Sequence, residues 1–332
     1  MRLGINPQKE QKKIKLTVNH RVIVVVYIPD EAGFHKNSFN VFKLCLDSII
    51  VTVGSNALIT VVNNGSHQKV SDFLNDYFNE KRIDTLISHT ANIGKIDASI
   101  GAARGCREKY ITLTDADILF ARGWQEKTEE IFFKFKNVGS VSPIPVRSGL
   151  FYGSSSVLKQ ILLKRLKLTY RAIPENFTDY NRYMESINWA TDTNENEKWP
   201  IVQSNGAKAI VGSGHQVLTI DRDILFQTVP TAPSLTLVGS NSEYLFVDVP
   251  IDKSGKLRLS TYNNYAFHMG NQLESWMENI QEANKANDLV FEKENYPIEE
   301  STDLFNSKMR NVNYQIKKQI IKRIFSFFIH RN

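Results

Sequence analysis

Asp115, Ala116 and Asp117 put two carboxylates one residue apart, directly after the β-branched and aromatic run 110–114. Carboxylate oxygens are hard ligands that suit Mg²⁺ or Mn²⁺, and such cations keep coordination positions open for phosphate oxygens. In an open α/β sheet, ligands bind outside the carboxyl ends of the strands, which is where this pair falls. An Asp that only caps the following helix fits the same residues. The pattern also occurs a second time, as Asp221-Arg222-Asp223. There Asp223 precedes Ile224-Leu225-Phe226 and reads as a helix cap. Position therefore favours the first pair as the chemical one. His268 closes the run 264–267. Its neutral imidazole is a suitable third ligand for Mn²⁺, although a lone His is more often a structural side chain.

Groups at a strand end need a sheet to hold them. Residues 22–28 form a β-branched run closed by Pro29 and read as a buried strand. Apolar spacing predicts a helix over 39–53, and 57–62 reads as a strand ended by the turn 63–66. A helix over 70–78, a strand over 83–87, a small-residue helix over 99–109 and a strand over 110–114 follow. This alternation with short connections implies an α/β fold with a mostly parallel sheet. Beyond residue 140 the pattern is mixed. The polar stretch 174–208 reads as containing a long loop, in which Trp189 and Trp199 either stack their faces on the apolar side of a sugar ring or anchor the loop. Runs 210–220 and 257–269 read as strands. No internal repeat or clean linker appears, so a single composite domain is expected.

The composition excludes several classes. The chain has 332 residues, 42% hydrophobic and 23% charged, which is too apolar for disorder and ample for one large core. Its longest apolar run, 22–28, is far shorter than the roughly 18 residues of a membrane span. The polar, basic first 21 residues do not form a signal peptide, and two cysteines make no disulfide framework, so a cytoplasmic location is expected. Residues 1–21 and 304–332 hold thirteen of the 41 basic side chains and one of the 35 acidic ones. The remaining 28 bases and 34 acids leave the body at −6. That distribution argues against nucleic acid as a partner and for contact of the basic ends with an anionic membrane surface. In the segment 315–330, helical spacing puts Ile316, Ile320, Ile321, Ile324, Phe327 and Phe328 on one face, with Lys318, Lys322 and Arg323 opposite. Such a helix suits the inner face of a membrane, or packs on protein.

The order of these features resembles the inverting family 2 glycosyltransferases with the GT-A fold. The motifs are the strand ending at Pro29, the segment VVNNGS at 61–66, and Asn92-Ile93-Gly94 before the small-residue helix. Asp115 to Asp117, Gly123-Trp124, the loop Gly212-Ser213-Gly214 and the late His268 complete the series. The resemblance covers residues 20–270 or so. It implies a Rossmann-like nucleotide-sugar half over 20–142, a mixed acceptor half of the same domain over 143–275, and a helical basic tail over 276–332.

The resemblance also implies a reaction: transfer of a sugar from a nucleoside-diphosphate donor to a glycan or lipid-linked acceptor, as in polysaccharide biosynthesis, with Mn²⁺ or Mg²⁺ on the diphosphate. On the matched positions Asp117 would ligate the metal, Asp115 would meet the metal or the ribose, and His268 would complete the site. Tyr27, Pro29, Asn64, Asn92 and Gly214 would frame the donor, with Lys95 and Arg104 beside its diphosphate or else solvated at the surface. Many relatives carry Asp where this chain has Asn63 and Asn64, which weakens the inference of a uridine donor. Inversion needs a general base, in this family a carboxylate of an acidic pair. The stretch 240–255 has no such pair but offers Asp248, in an apolar setting that would raise its pKa, then Glu243, while Asp252 reads as part of a turn. Two other readings stay open. A nucleotidyltransferase would want a Gly-rich basic loop after the first strand, where 29–36 has one Gly and two acids. A non-catalytic nucleotide-sugar or glycan scaffold is compatible with the missing acidic pair.

Overall fold

A computed structural model describes residues 4–10, 14, 16–286 and 316. Apart from Ile316 these residues lie in one compact unit that spans 1–299. The expected tail helix 315–330 lies, save for Ile316, outside the described residues.

A ten-stranded sheet forms the body. Its first half comprises β1 (His20–Val26), β2 (Ala57–Asn64), β3 (Thr85–His89) and β4 (Tyr110–Thr114), all mutually parallel in the order β3-β2-β1-β4. Helices α1 (Ser38–Thr52), α2 (Gln68–Asn79) and α3 (Lys95–Arg104) make the crossovers. The second half comprises β6 (Val138–Ser142), β7 (Lys167–Ala172), β8 (Lys198–Ser204), β9 (Ala207–Val211), β10 (Val217–Asp221) and β11 (Leu257–Thr261). It continues the sheet as β10-β6-β11-β9-β8-β7. Strand β10 runs antiparallel to both its neighbours, β4 and β6. A separate antiparallel ribbon pairs β5 (Ile118–Phe120) with β12 (Ala266–His268). The sheet is thus parallel over β1 to β4 and mixed beyond them.

The unbroken apolar run of β1 has a simple cause: both faces are covered. Val22, Val24 and Val26 pack with Phe42, Leu46 and Ile49 of α1, while Ile23 packs with Ile96, Ile100 and Ala103 of α3. Each such side chain removed from water contributes roughly 1.5–3 kcal/mol. Helix α9 (Ser275–Ala286) belongs to this body and not to a tail, because Met277 is fully buried and Asn284 Nδ2 donates to the Phe120 carbonyl at 2.8 Å.

Several boundaries differ from the sequence reading. Gly94, with φ +95°, starts α3 at Lys95 and Gly105 ends it, so the helix lies about one turn earlier than its small residues indicated. The runs 210–220 and 257–269 each split into two strands at polar turns. The stretch 174–208 contains α6 (Phe177–Ser186) and β8, and Trp199 is a core residue edge-on to Tyr180 at 5.2 Å, which corrects its reading as an acceptor platform. Trp189 is exposed. In the second D-x-D, Asp221 Oδ2 pairs with Lys256 at 2.7 Å and Lys109 at 3.4 Å. Asp223 stands at a helix start, yet its side chain makes no capping bond. Asp252 lies in α8 (Val249–Lys253) and caps another helix, α5 (Ser155–Leu162), by accepting from the Ser156 amide at 2.7 Å. Among the described residues no helix is long and apolar enough to cross a membrane.

Buried ion pairs make the fold sensitive to acid. Glu108 Oε1 lies 2.7 Å from Arg21 Nη2, and both side chains are buried. Burial raises the Glu108 pKa, but Arg21 and the Arg107 amide outweigh it and hold the carboxyl below its ordinary value. A folded-state pKa below the unfolded value of about 4.3 means that protons favour the unfolded chain. This stabilisation is present above about pH 5 and lost as pH falls through the folded pKa. The thermal midpoint, scanned from neutral pH downward, is expected to decline below about pH 5. Glu108→Gln should lower the midpoint at neutral pH and flatten part of that decline.

Candidate active site

A cleft of about 570 Å³ opens at the carboxyl ends of β1, β2 and β4. Its walls include Tyr27, Asn64, Asn92, Lys95, Asp115 and Asp117. The first of these follow from strand direction: parallel strands deliver their next residues to one edge of the sheet.

The acidic pair sits between β4 and β5. Pairing of β5 with β12 sets His268 opposite Ile118, and the Met269 amide donates to the Asp117 carbonyl at 2.8 Å. His268 Nε2 thereby comes 3.4 Å from Asp117 Oδ2, while Nδ1 lies 2.8 Å from Ser186 Oγ. Burial lowers the His268 pKa, but the Asp117 carboxylate outweighs it and raises it overall. Asp117 Oδ1 is buried without a hydrogen-bond partner. A buried carboxylate oxygen left unpaired is costly in an apolar setting, and a bound cation would satisfy it.

Asp115 is arranged differently. Its Oδ1 lies 2.7 Å from Lys95 Nζ, which also reaches Glu243 Oε1 at 3.5 Å. Burial raises the Asp115 pKa, Lys95 opposes this, and Asp117 adds to it. Burial disfavours the Lys95 charge, but Asp115 and Glu243 outweigh it and raise the Lys95 pKa. The three expected metal ligands are therefore not equivalent: Asp117 and His268 converge, while Asp115 turns to Lys95. Among the described residues no cluster of three or more His, Cys, Asp or Glu side chains forms a ready cation cage.

The part of the cleft around Asn64 and Asn92 is built from turns. Asn64 Oδ1 accepts from the Ile93 amide at 3.1 Å and its Nδ2 donates to Asn92 Oδ1 at 2.9 Å. Asn92 Oδ1 also accepts from the Gly94 amide at 2.9 Å. Asn63 instead points to Ser71 and to the Ser66 amide. Tyr27 is exposed at the rim, edge-on to His35 with ring centres 6.4 Å apart. Phe34, His35, Leu237 and Val238 also line the cleft, and the Leu237 carbonyl accepts from the Lys95 amide at 3.0 Å. These apolar and aromatic residues lie in loops or, for Phe34 and His35, in a single short helical turn, too short for a periodic trace, so sequence reasoning missed them.

Other expected site residues lie elsewhere. Pro29 lies two residues past Tyr27 and does not line the cleft. Arg104 donates to the Pro230 carbonyl at 2.7 Å and approaches those of Leu225 and Val229, so it staples a loop and does not meet a diphosphate. Gly214 does not line the cleft either; in its turn a Cβ on Gly212 would lie 2.9 Å from Gly149 Cα. Asp248 is fully buried, with Oδ1 2.6 Å from Arg258 Nη2 and Oδ2 accepting from Tyr152 at 2.9 Å. A carboxylate so enclosed cannot reach an acceptor hydroxyl, which corrects its assignment as the base. Glu243 stays partly accessible, but Lys95 and Ser242, acting against burial, hold its pKa below the usual value. His215, next to Gly214, was missed; a His directly after a glycine turn between two strands was the signal.

Comparison with known proteins finds a family model that matches part of the chain and several solved structures of low similarity. Residues 35–188, a little under half of the chain, match the glycosyl transferase family 2 model. No curated protein sequence matches. A mannosyltransferase, PcManGT from Pyrobaculum calidifontis, solved with GDP-Man and Mn²⁺, is 17% identical over 77% of this chain and 60% of its own, with TM-score 0.41. S. aureus TarS, residues 1–349, is 11% identical over 76% of this chain and 60% of its own, with TM-score 0.44. GalNAc-T7, solved with UDP, GalNAc and Mn²⁺, is 14% identical over 76% of this chain and 44% of its own, with TM-score 0.47. The chain thus spans 44–60% of the length of these proteins.

Two glycines test the geometry of the cleft. Gly65 has φ +82°, and a Cβ there would lie 2.6 Å from the Ala91 carbonyl carbon. Gly65→Ala is expected to cost about 1–3 kcal/mol in urea unfolding, by strain and by displacing the turn that Asn64 binds. Gly101, in α3 with open space around its Cα, is the control. Gly101→Ala should stabilise by about 0.5–1 kcal/mol.

Proposed function

We propose that this chain, whose residues 35–188 match the glycosyl transferase family 2 model, is a metal-dependent inverting glycosyltransferase that uses a nucleoside-diphosphate sugar. The observation that carries the reading is the Asp117–His268 pair at a cleft of nucleotide size, with Asp117 Oδ1 buried and unpartnered. The donor set fits a divalent cation: one carboxylate oxygen in need of a partner and one imidazole nitrogen beside it. Asp117 and His268 would hold Mn²⁺ or Mg²⁺, with Asp115 held close by Lys95. Such a cation, when bound, stabilises negative charge that develops on a departing diphosphate.

The chain's own groups supply the rest. Tyr27, Phe34 and His35 offer faces and edges for the base, and the Asn64–Asn92 amides fix the floor beneath the ribose. Lys95 is a cation held at the acidic edge of the cleft, where it offsets repulsion between the carboxylates and an incoming diphosphate. Glu243 and the recess beside it form the acceptor side. A nucleotidyltransferase is disfavoured, because the backbone after β1 makes a short helical turn over Gly33–His35 with no basic glycine loop. For the acceptor, the basic amphipathic pattern of 315–330 supports a lipid-linked glycan at an anionic surface.

A thermal-shift panel tests the assignment. UDP, GDP, dTDP and CMP, with their sugars, are titrated with and without Mn²⁺ and Mg²⁺. One nucleotide series should raise the midpoint in a metal-dependent way, because a ligand that binds only the folded state stabilises it by mass action. Asp117→Ala should abolish the metal-dependent part while leaving the unliganded midpoint within a few degrees. A chain that responds to none of the nucleotides with either metal is not a nucleotide-sugar enzyme. Metal-dependent binding with no donor turnover would make it a scaffold.

A further inference from the structure

A small recess of about 20 Å³ adjoins the main cleft and shares Val25, Lys95 and Asp115 with it. His215 and Glu243 line it together with apolar side chains of the sheet and α3. The His215 side chain is 30% exposed, and its Nδ1 lies 3.1 Å from Asp248 Oδ2. Behind it, Asp248 is fully buried and bonded at both carboxylate oxygens. Arg258, itself fully buried, binds Asp248 Oδ1 at 2.6 Å and donates to the carbonyls of Tyr152, Gly153 and Ser213. The Tyr152 hydroxyl holds the other carboxylate oxygen. An anchored carboxylate on Nδ1 fixes the imidazole's tautomer and orientation, and makes Nε2 the nitrogen that can accept a proton. The carboxylate also stabilises the imidazolium that results.

We propose that His215, in place of a carboxylate, is the general base of the transfer reaction, with Asp248 as its positioning residue; this inference rests on the glycosyltransferase reading above. The acceptor oxygen forms a bond to the anomeric carbon as the bond from that carbon to the diphosphate oxygen breaks. The electron pair of the broken bond leaves on the diphosphate. The acceptor proton passes to His215 Nε2, and the imidazolium faces Asp248. Glu243 is the weaker base, since Lys95 and Ser242 already engage its carboxylate. The groups that face His215 are Asp248, with Arg258 and Tyr152 behind it, and Asp115, Glu243 and Lys95 around the recess.

The test uses the full chain and the donor selected by the thermal-shift panel, with release of free nucleotide as the rate and water as acceptor. Loss of a general base costs on the order of 10²–10⁴-fold. His215→Ala is therefore expected to lower turnover at least about 100-fold, with the donor-induced thermal shift unchanged. Added imidazole should restore part of that rate. Asp248→Asn should lower turnover with the donor-induced thermal shift unchanged, and Asp248→Glu should restore part of the rate. A merely structural Asp248 would lose the donor-induced thermal shift together with the rate. Glu243→Gln serves as the competing variant. If His215→Ala turns over at the wild-type rate, or only Glu243→Gln abolishes turnover, the inference is overturned. If the wild-type chain binds a donor yet releases no nucleotide, the enzymatic reading fails, and this inference with it.

Discussion

Two carboxylates that leave one strand two residues apart repel each other, and the repulsion grows as water is excluded. Much of this site can be understood as the means of holding them. Asp115 is met by Lys95 and Asp117 by His268. The two partners arrive by different routes. Lys95 is the first residue of α3, placed by the Gly94 turn that the Asn64–Asn92 amides stabilise. His268 arrives from the far end of the chain on β12, whose register against β5 sets it beside Asp117. The outcome is asymmetric: one carboxylate is neutralised by a side chain, and the other keeps an oxygen in want of a partner.

The antiparallel strand β10 shapes the opposite wall. Because it is inserted between β4 and β6, the turn that precedes it passes over the end of β4, and the Asp115 amide donates to the Gln216 carbonyl at 2.9 Å. The buried Arg258–Asp248 pair ties that turn to the segment around Gly153. Burying such a pair yields little net stability, and removing one partner leaves a costly unpaired charge. Its consequence here is positional, since it keeps His215 at the edge of the recess.

Regular elements with an unambiguous environment were legible in the sequence. Strand β4 was read with its observed bounds, and α1 and β1 within two residues, because burial on one stripe or on both faces leaves a periodic trace. The asymmetric roles of Asp115 and Asp117 and the enclosure of Asp248 left no such trace. An apolar context around Asp248 reads the same whether the partner is solvent at a cleft or a buried guanidinium contributed by a later strand. Arg104 and Trp199 were misjudged for the same reason: residue type permits a ligand contact, but the neighbour that occupies the side chain is distant in the chain.

What the sequence determined by itself was the alternation of strand and helix, the delivery of Asp115 and Asp117 to a strand end, and the turn at 63–66. All are local, set by side-chain periodicity and by backbone conformations that few residues adopt. Only the tertiary structure decided which acidic group keeps an unpaired oxygen, which one is locked away, and which imidazole faces which carboxylate. Those outcomes depend on strand order and register between segments 100 to 150 residues apart, where one residue of slip would turn each side chain to the other face.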